Sequence, residues 1–145
     1  MEFINRLIVA LTEVHPTHPM VVHFPIALTG AAFLFILLAS WRKNASLEQA
    51  AFANIVLASL GTLAAGLTGI MDNVKNYDGD APNSMTKITL ATILLLLTAG
   101  LSIARYRNPD LFWKGNRFLY AASYGISFGI ALVLAFLGGV ILYGF

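Results

Sequence analysis

An all-α integral membrane fold, a four-transmembrane-helix up-down-up-down bundle preceded by a short N-terminal amphipathic interfacial helix, is what this sequence predicts. Three observations carry the prediction. The 145 residues are 58% hydrophobic and only 11% charged, the mean hydropathy is +0.76, and four apolar stretches are separated by short polar links. Soluble domains run nearer half apolar and a quarter charged, so this composition excludes a water-soluble globule.

The apolar stretches cover residues 20–41, 50–71, 88–104 and 118–143, and no Asp, Glu, Lys or Arg lies inside them. Roughly 20 residues at 1.5 Å each cross about 30 Å of hydrocarbon, and the third stretch is short but sufficient. Lipid offers no partner to an exposed backbone N–H or C=O, so segments of this length are expected as helices. The links 42–49, 72–87 and 105–117 are short and polar, which forces successive helices to run antiparallel in a single membrane domain over residues 1–145. Residues 1–14 place Phe3, Ile4, Leu7, Ile8, Leu11 and Val14 at helical spacing among Glu2, Asn5, Arg6 and Glu13. That stretch is too short to span and reads as a helix lying in the membrane surface. The first residues lack the basic end, apolar centre and small-residue cleavage site of a secretory signal, so no cleavage is expected there.

Charge gives the chain a direction. The first and third links share a side and carry Arg42, Lys43, Arg105, Arg107, Lys114 and Arg117, against Arg6, Lys75 and Lys87 on the other. Basic residues in short loops stay in the cytoplasm, so both termini and the acidic second link, with Asp72, Asp78 and Asp80, are expected outside. The nine basic residues are scattered between apolar runs and form no nucleic-acid-binding face. The partners expected are the lipid bilayer and other membrane subunits or further copies of the chain. The absence of cysteine removes disulfides, thiolate metal sites and thiol nucleophiles.

Small residues mark where helices approach. Gly61, Ala65 and Gly69 recur every four residues in the second stretch, and Gly125 with Gly129 forms a GxxxG in the fourth, the spacing that brings helix backbones together in lipid. The chemistry-bearing residues gather elsewhere: His15, His18 and His23 fall in one segment with Pro16, Pro19 and Pro25. Pro19 suits a first helical turn, whereas Pro25 removes a backbone bond to the carbonyl of Val21. In the expected topology Met71, Asp72, Met85, Lys87 and Tyr143 come to the same outer rim. Neutral imidazole is a common axial ligand of haem iron, and a thioether can supply the second position. His18, His23 and Met71 are therefore the candidate cofactor-binding residues, with His23 and His18 the metal ligands if a haem or chlorophyll-type magnesium is held. Pro19, Pro25, Gly61, Gly69, Asp72, Gly125 and Gly129 are the structural candidates. No catalytic carboxylate pair, serine triad or phosphate-binding glycine loop is present, and the span interiors hold no ionisable group for a proton relay.

The run His18-Pro19-Met20-Val21-Val22-His23-Phe24-Pro25-Ile26-Ala27-Leu28 resembles the "HPxxVHFPIAL" signature of a bacterial membrane family known as domain of unknown function 2231. Two further stretches resemble it: Gly66 to Gly69 with Asp72, and Leu137-Gly138-Gly139 with Tyr143-Gly144. The resemblance implies a four-span fold in the bacterial inner membrane. It also implies an association with electron transfer, since family members are often encoded beside or fused to cytochrome c-like or Rieske-like modules. It favours His18 and His23, with Asp72 behind them. A histidine that commonly opens the third helix in that family is replaced here by Lys87, and another after the final Tyr-Gly has no counterpart before Phe145. Two readings stay open. One is a small non-catalytic accessory subunit of a respiratory or photosynthetic electron-transfer complex; the other is an electron-transfer subunit binding haem b, or a chlorophyll-type pigment, through His23 or His18.

Overall fold

A computed structural model describes residues 2–9 and 17–143, and 90% of those residues are helical. In chain order the elements are α1 (Glu2–Val9), α2 (Thr17–Arg42), α3 (Ala45–Tyr77), α4 (Ser84–Arg107), α5 (Leu111–Lys114) and α6 (Arg117–Tyr143). α2, α3, α4 and α6 are each long and apolar enough to cross a membrane. They form a ring in which α2 packs on α3, α3 on α4, α4 on α6 and α6 back on α2. This is the antiparallel four-helix bundle the hydropathy predicts. α1 covers only part of the expected surface helix; its Arg6 reaches back one turn to Glu2 at 2.7 Å, and Phe3 and Ile4 are exposed. The rest of the expected 1–14 helix, with Leu11 and Val14, lies outside the described residues.

The helices run past the apolar stretches because the link residues continue them. Asn44 starts α3: its side chain accepts from the N–H groups of Ser46 at 2.8 Å and Leu47 at 3.2 Å, filling orphan donors of the first turn. Ala45 to Gln49 then read as helix and carry Glu48 into the bundle. At the far end of α3, Asp78 adopts a left-handed conformation and its N–H returns to the Asn73 carbonyl. The Asn73 side chain closes the following turn, donating to Gly79 O at 3.1 Å and accepting from Ala81 N at 2.9 Å. Pro25 leaves α2 continuous. One turn on, the Thr29 hydroxyl donates to the Pro25 carbonyl at 2.7 Å.

The core is densest at the end bearing the first and third links. Ala32, Ile36 and Ala39 of α2, Ala51 and Ile55 of α3, Tyr120 and Tyr124 of α6, and Phe112 of α5 form one buried cluster. Phe112 belongs to a link that reads as polar in the sequence, yet its ring is fully enclosed against Trp113, edge-on at 4.8 Å, and Tyr120 at 5.7 Å. Arg117 covers the same rings, 5.0 Å from the centre of Trp113. One turn of helix thus folds the third link back as a lid on the basic end of the bundle.

Candidate functional site

Two sites hold polar side chains that the fold positions, one at each end of the bundle. At the basic end the Arg105 side chain of α4 meets Glu48 of α3 in a two-pronged pair, Nε to Oε1 at 2.6 Å and Nη2 to Oε2 at 2.8 Å. Glu48 is 1% exposed and Arg105 12%. The guanidinium also lies over the Phe52 ring, 5.3 Å from its centre. Beside the pair, the hydroxyls of Tyr120 and Tyr124 on α6 bond to each other at 2.9 Å. The sequence reading assigns Glu48 and Arg105 to links, since each flanks an apolar run. The signal that could have found Glu48 is its phase: Glu48, Ala51, Ile55 and Ala58 follow one helical face, and all of these are buried. Arg105 has no comparable signal, because it lies 57 residues away.

At the other end α2 sets its histidines on different faces. His18 is half-buried against α3, with Nδ1 3.3 Å from Thr68 Oγ1. The Thr68 hydroxyl proton is directed to the carbonyls of Ala64 and Ala65 at 3.0 and 3.1 Å. Its lone pair is therefore left to accept from the Nδ1–H of His18. The ring is seated on Gly69, where a Cβ would come within 2.9 Å of Cε1; glycine is what makes room for it. At the same end of α3, Asp72 accepts a hydrogen bond from the Asn76 side chain one turn on.

His23 is five residues further and so about 140° around the helix from His18. It is exposed, and its Nδ1 lies 2.5 Å from the Pro19 carbonyl. A carbonyl can only accept, so Nδ1 carries a proton, and in the neutral imidazole the free lone pair is on Nε2. The two imidazoles do not converge. Met71, 70% exposed, lies about 200° around α3 from Gly69 and away from the His18 seat. Among the described residues no group of three His, Cys, Asp or Glu side chains is arranged to hold a metal ion. His15 lies outside the described residues, as does the Tyr143 side chain.

Residues 14–145 match the model of the family described as predicted membrane protein (DUF2231). The chain belongs to this family. The match takes in both ends of the bundle and the whole histidine and proline segment of this DUF2231 protein. Comparison with curated proteins and with solved structures finds no significant match.

The glycines of the DUF2231 bundle divide into two sets. A Cβ at Gly61 would stand 3.3 Å from Pro25 Cδ, and one at Gly125 3.0 Å from the Phe33 ring. These positions seat α2 against α3 and α6. A Cβ at Gly129, Gly66 or Gly100 would meet nothing within 4 Å, so the second glycine of the GxxxG pair looks out of the bundle. Gly30 is a close-contact position that sequence reasoning passes over: its Cβ would come within 3.0 Å of Phe128. Pro19 supplies the carbonyl that holds His23, and Pro25 packs against Gly61 in full burial.

Proposed function

We propose that this protein is a non-catalytic accessory subunit of the bacterial inner membrane that packs laterally against other membrane proteins of an electron-transfer complex. The observation that carries this reading is the apolar outward face of α6 around Gly129, while the buried polar side chains among the described residues find partners inside the chain. Glu48 is spent on Arg105, Tyr120 on Tyr124, and the buried threonines on their own helix carbonyls. The outward surfaces are apolar: on α6, Ile126, Val133 and Phe136 are exposed around the open Gly129, a face on which a neighbouring helix can approach closely. The excess of basic residues in the first and third links supports a cytoplasmic position for those links and an outer one for the termini. The electron-transfer partner class comes from the family resemblance.

Purification from native membranes in mild detergent tests the reading. A stoichiometric membrane partner, lost in Gly129→Leu while the bundle keeps its helicity, supports it. Elution of the wild-type chain as a single copy with no partner overturns it, and elution as several copies identifies the chain itself as the partner.

A second reading, a haem b or chlorophyll-type ligand on His23, is favoured by one specific observation. Axial histidines donate their other ring N–H to a carbonyl or carboxylate, which fixes tautomer and ring orientation. His23 has that arrangement with Pro19 and presents Nε2 outward. The residues fit one axial position per chain, and the second falls to a neighbouring subunit. Bound there, a haem would supply one-electron transfer. A reducible Soret and alpha band lost in His23→Ala supports this reading; a colourless, stable complex overturns it.

A further inference from the structure

The outer faces of α3 and α4 do not close on each other at the basic end. Between them runs a groove lined by Phe52, Val56 and Leu57 of α3 and by Ile103 and Tyr106 of α4. Of its two hydroxyls, that of Ser102 donates to the Thr98 carbonyl at 2.7 Å, and that of Tyr106 belongs to the groove's polar end. From Phe52 to Leu57 the groove extends roughly 8 Å along α3 at 1.5 Å per residue. Both helices cross the membrane, so the groove opens toward hydrocarbon and suits a lipid tail.

Charge at the groove's end selects the headgroup. Tyr106 is 79% exposed and is followed by Arg107, the last residue of α4, which lines the adjoining recess on the turn into α5. The third link's other cations are engaged: Arg105 with Glu48, Lys114 with Asp110 at 2.5 Å, and Arg117 over Trp113. Among the described residues Arg107 makes no such contact. An apolar slot ending in an interfacial tyrosine and an uncommitted arginine matches a lipid tail joined to a phosphate.

We propose that the α3–α4 groove holds one acyl chain of an anionic phospholipid whose phosphate is drawn to Arg107. The inference stands apart from the accessory-subunit reading, which concerns the α6 face, and it holds in either orientation of the chain. Only Ala53 and Ser102 of the lining residues are small, too few for the close approach that a packed helix makes, and an alkyl chain needs no such approach.

The test is native mass spectrometry of the purified full chain, delipidated and then offered phosphatidylglycerol and phosphatidylcholine with identical acyl chains. The expected result is one retained lipid with phosphatidylglycerol preferred. Arg107→Gln should lower that preference about fivefold, the effect of one cation at a membrane surface. Ile103→Trp and, separately, Leu57→Trp fill the groove from exposed positions and should remove retention of both lipids without loss of helicity. Equal retention of the two lipids, an unchanged preference in Arg107→Gln, or undiminished binding in both tryptophan variants overturns the proposal. A stoichiometric polypeptide displaced by either tryptophan variant would overturn it in favour of a protein occupant.

Discussion

Arg105 grips both carboxylate oxygens of Glu48, at 2.6 and 2.8 Å, across the interface between α3 and α4 at the basic end of the bundle. The carboxylate is almost wholly shielded, so it depends on this partner for its charge to be tolerated. Removing one member strands the other. Glu48→Leu or Arg105→Leu alone should each lower the stability of the detergent-solubilised protein by about 3–5 kcal/mol, and the double substitution should recover most of that loss. Thermal unfolding of the four variants in one detergent measures it. A double variant no better than the worse single one would mean that the pair does more than neutralise itself.

How much of this was legible in the sequence follows from the physics of each feature. The four spans and their antiparallel order were readable because lipid imposes a length and forbids charge, and both constraints act on contiguous residues. The Glu48–Arg105 pair was not, because it joins positions 57 residues apart that each resemble an ordinary span boundary. Phe112 sat in a link whose charged neighbours masked it, and only the turn of α5 shows why its ring is enclosed. The histidines were legible as a cluster along the chain but not as a divergent pair. A five-residue separation places them on different helix faces once α2 is continuous through Pro25, which the proline left open.

Glycine positions that look alike in sequence should respond oppositely. The α5 turn ends at Gly115, where a Cβ would come within 2.4 Å of the Leu111 carbonyl oxygen, and a backbone atom cannot swing aside. Gly115→Ala should cost about 1–3 kcal/mol as the last turn of the lid is pushed open. Gly129→Ala meets nothing within 4 Å and should gain about 0.5–1 kcal/mol from the lower entropy cost of a helical alanine. Melting temperatures of the two variants against wild type decide the matter; a Gly115→Ala variant no less stable than wild type, or a Gly129→Ala variant less stable, would overturn the respective reading.

The Asp110–Lys114 pair gives the link a defined pH response. A hydrogen bond and the positive charge of Lys114 hold the Asp110 carboxyl below its ordinary value, and the same contact raises the Lys114 ammonium. A depressed acid contributes stability that is present above its unfolded pKa of about 3.9 and is lost as pH falls through the lower folded value. A raised base contributes stability that is present below about 10.4 and is lost as pH rises through the higher folded value. Both groups are fully solvated, so the effect is small. The melting-temperature difference between wild type and Asp110→Asn should be flat from about pH 5 to 9, and should shrink only outside that range. A step near neutral pH in that difference would show that another group governs the link.

Orientation is open to a direct measurement, because the chain has no cysteine of its own. Positions 75 and 110 lie at opposite ends of the bundle, one in the last turns of α3 and the other just before α5, and both are exposed. If the basic links face the cytoplasm, a membrane-impermeant maleimide added to intact cells should label Lys75→Cys. Asp110→Cys should then react only after the cells are permeabilised. The expectation rests on six basic residues in the first and third links against three on the other side, a bias that acts while the spans are being inserted. Removing it should therefore blur the labelling. Replacing Arg42, Lys43, Arg107 and Lys114 with glutamine leaves Arg105 paired with Glu48 and Arg117 on its aromatic rings, yet it removes the excess, and a mixed labelling pattern should result. Labelling of position 110 in intact wild-type-charged cells would place the histidine end inside and turn His23 toward the cytoplasmic leaflet.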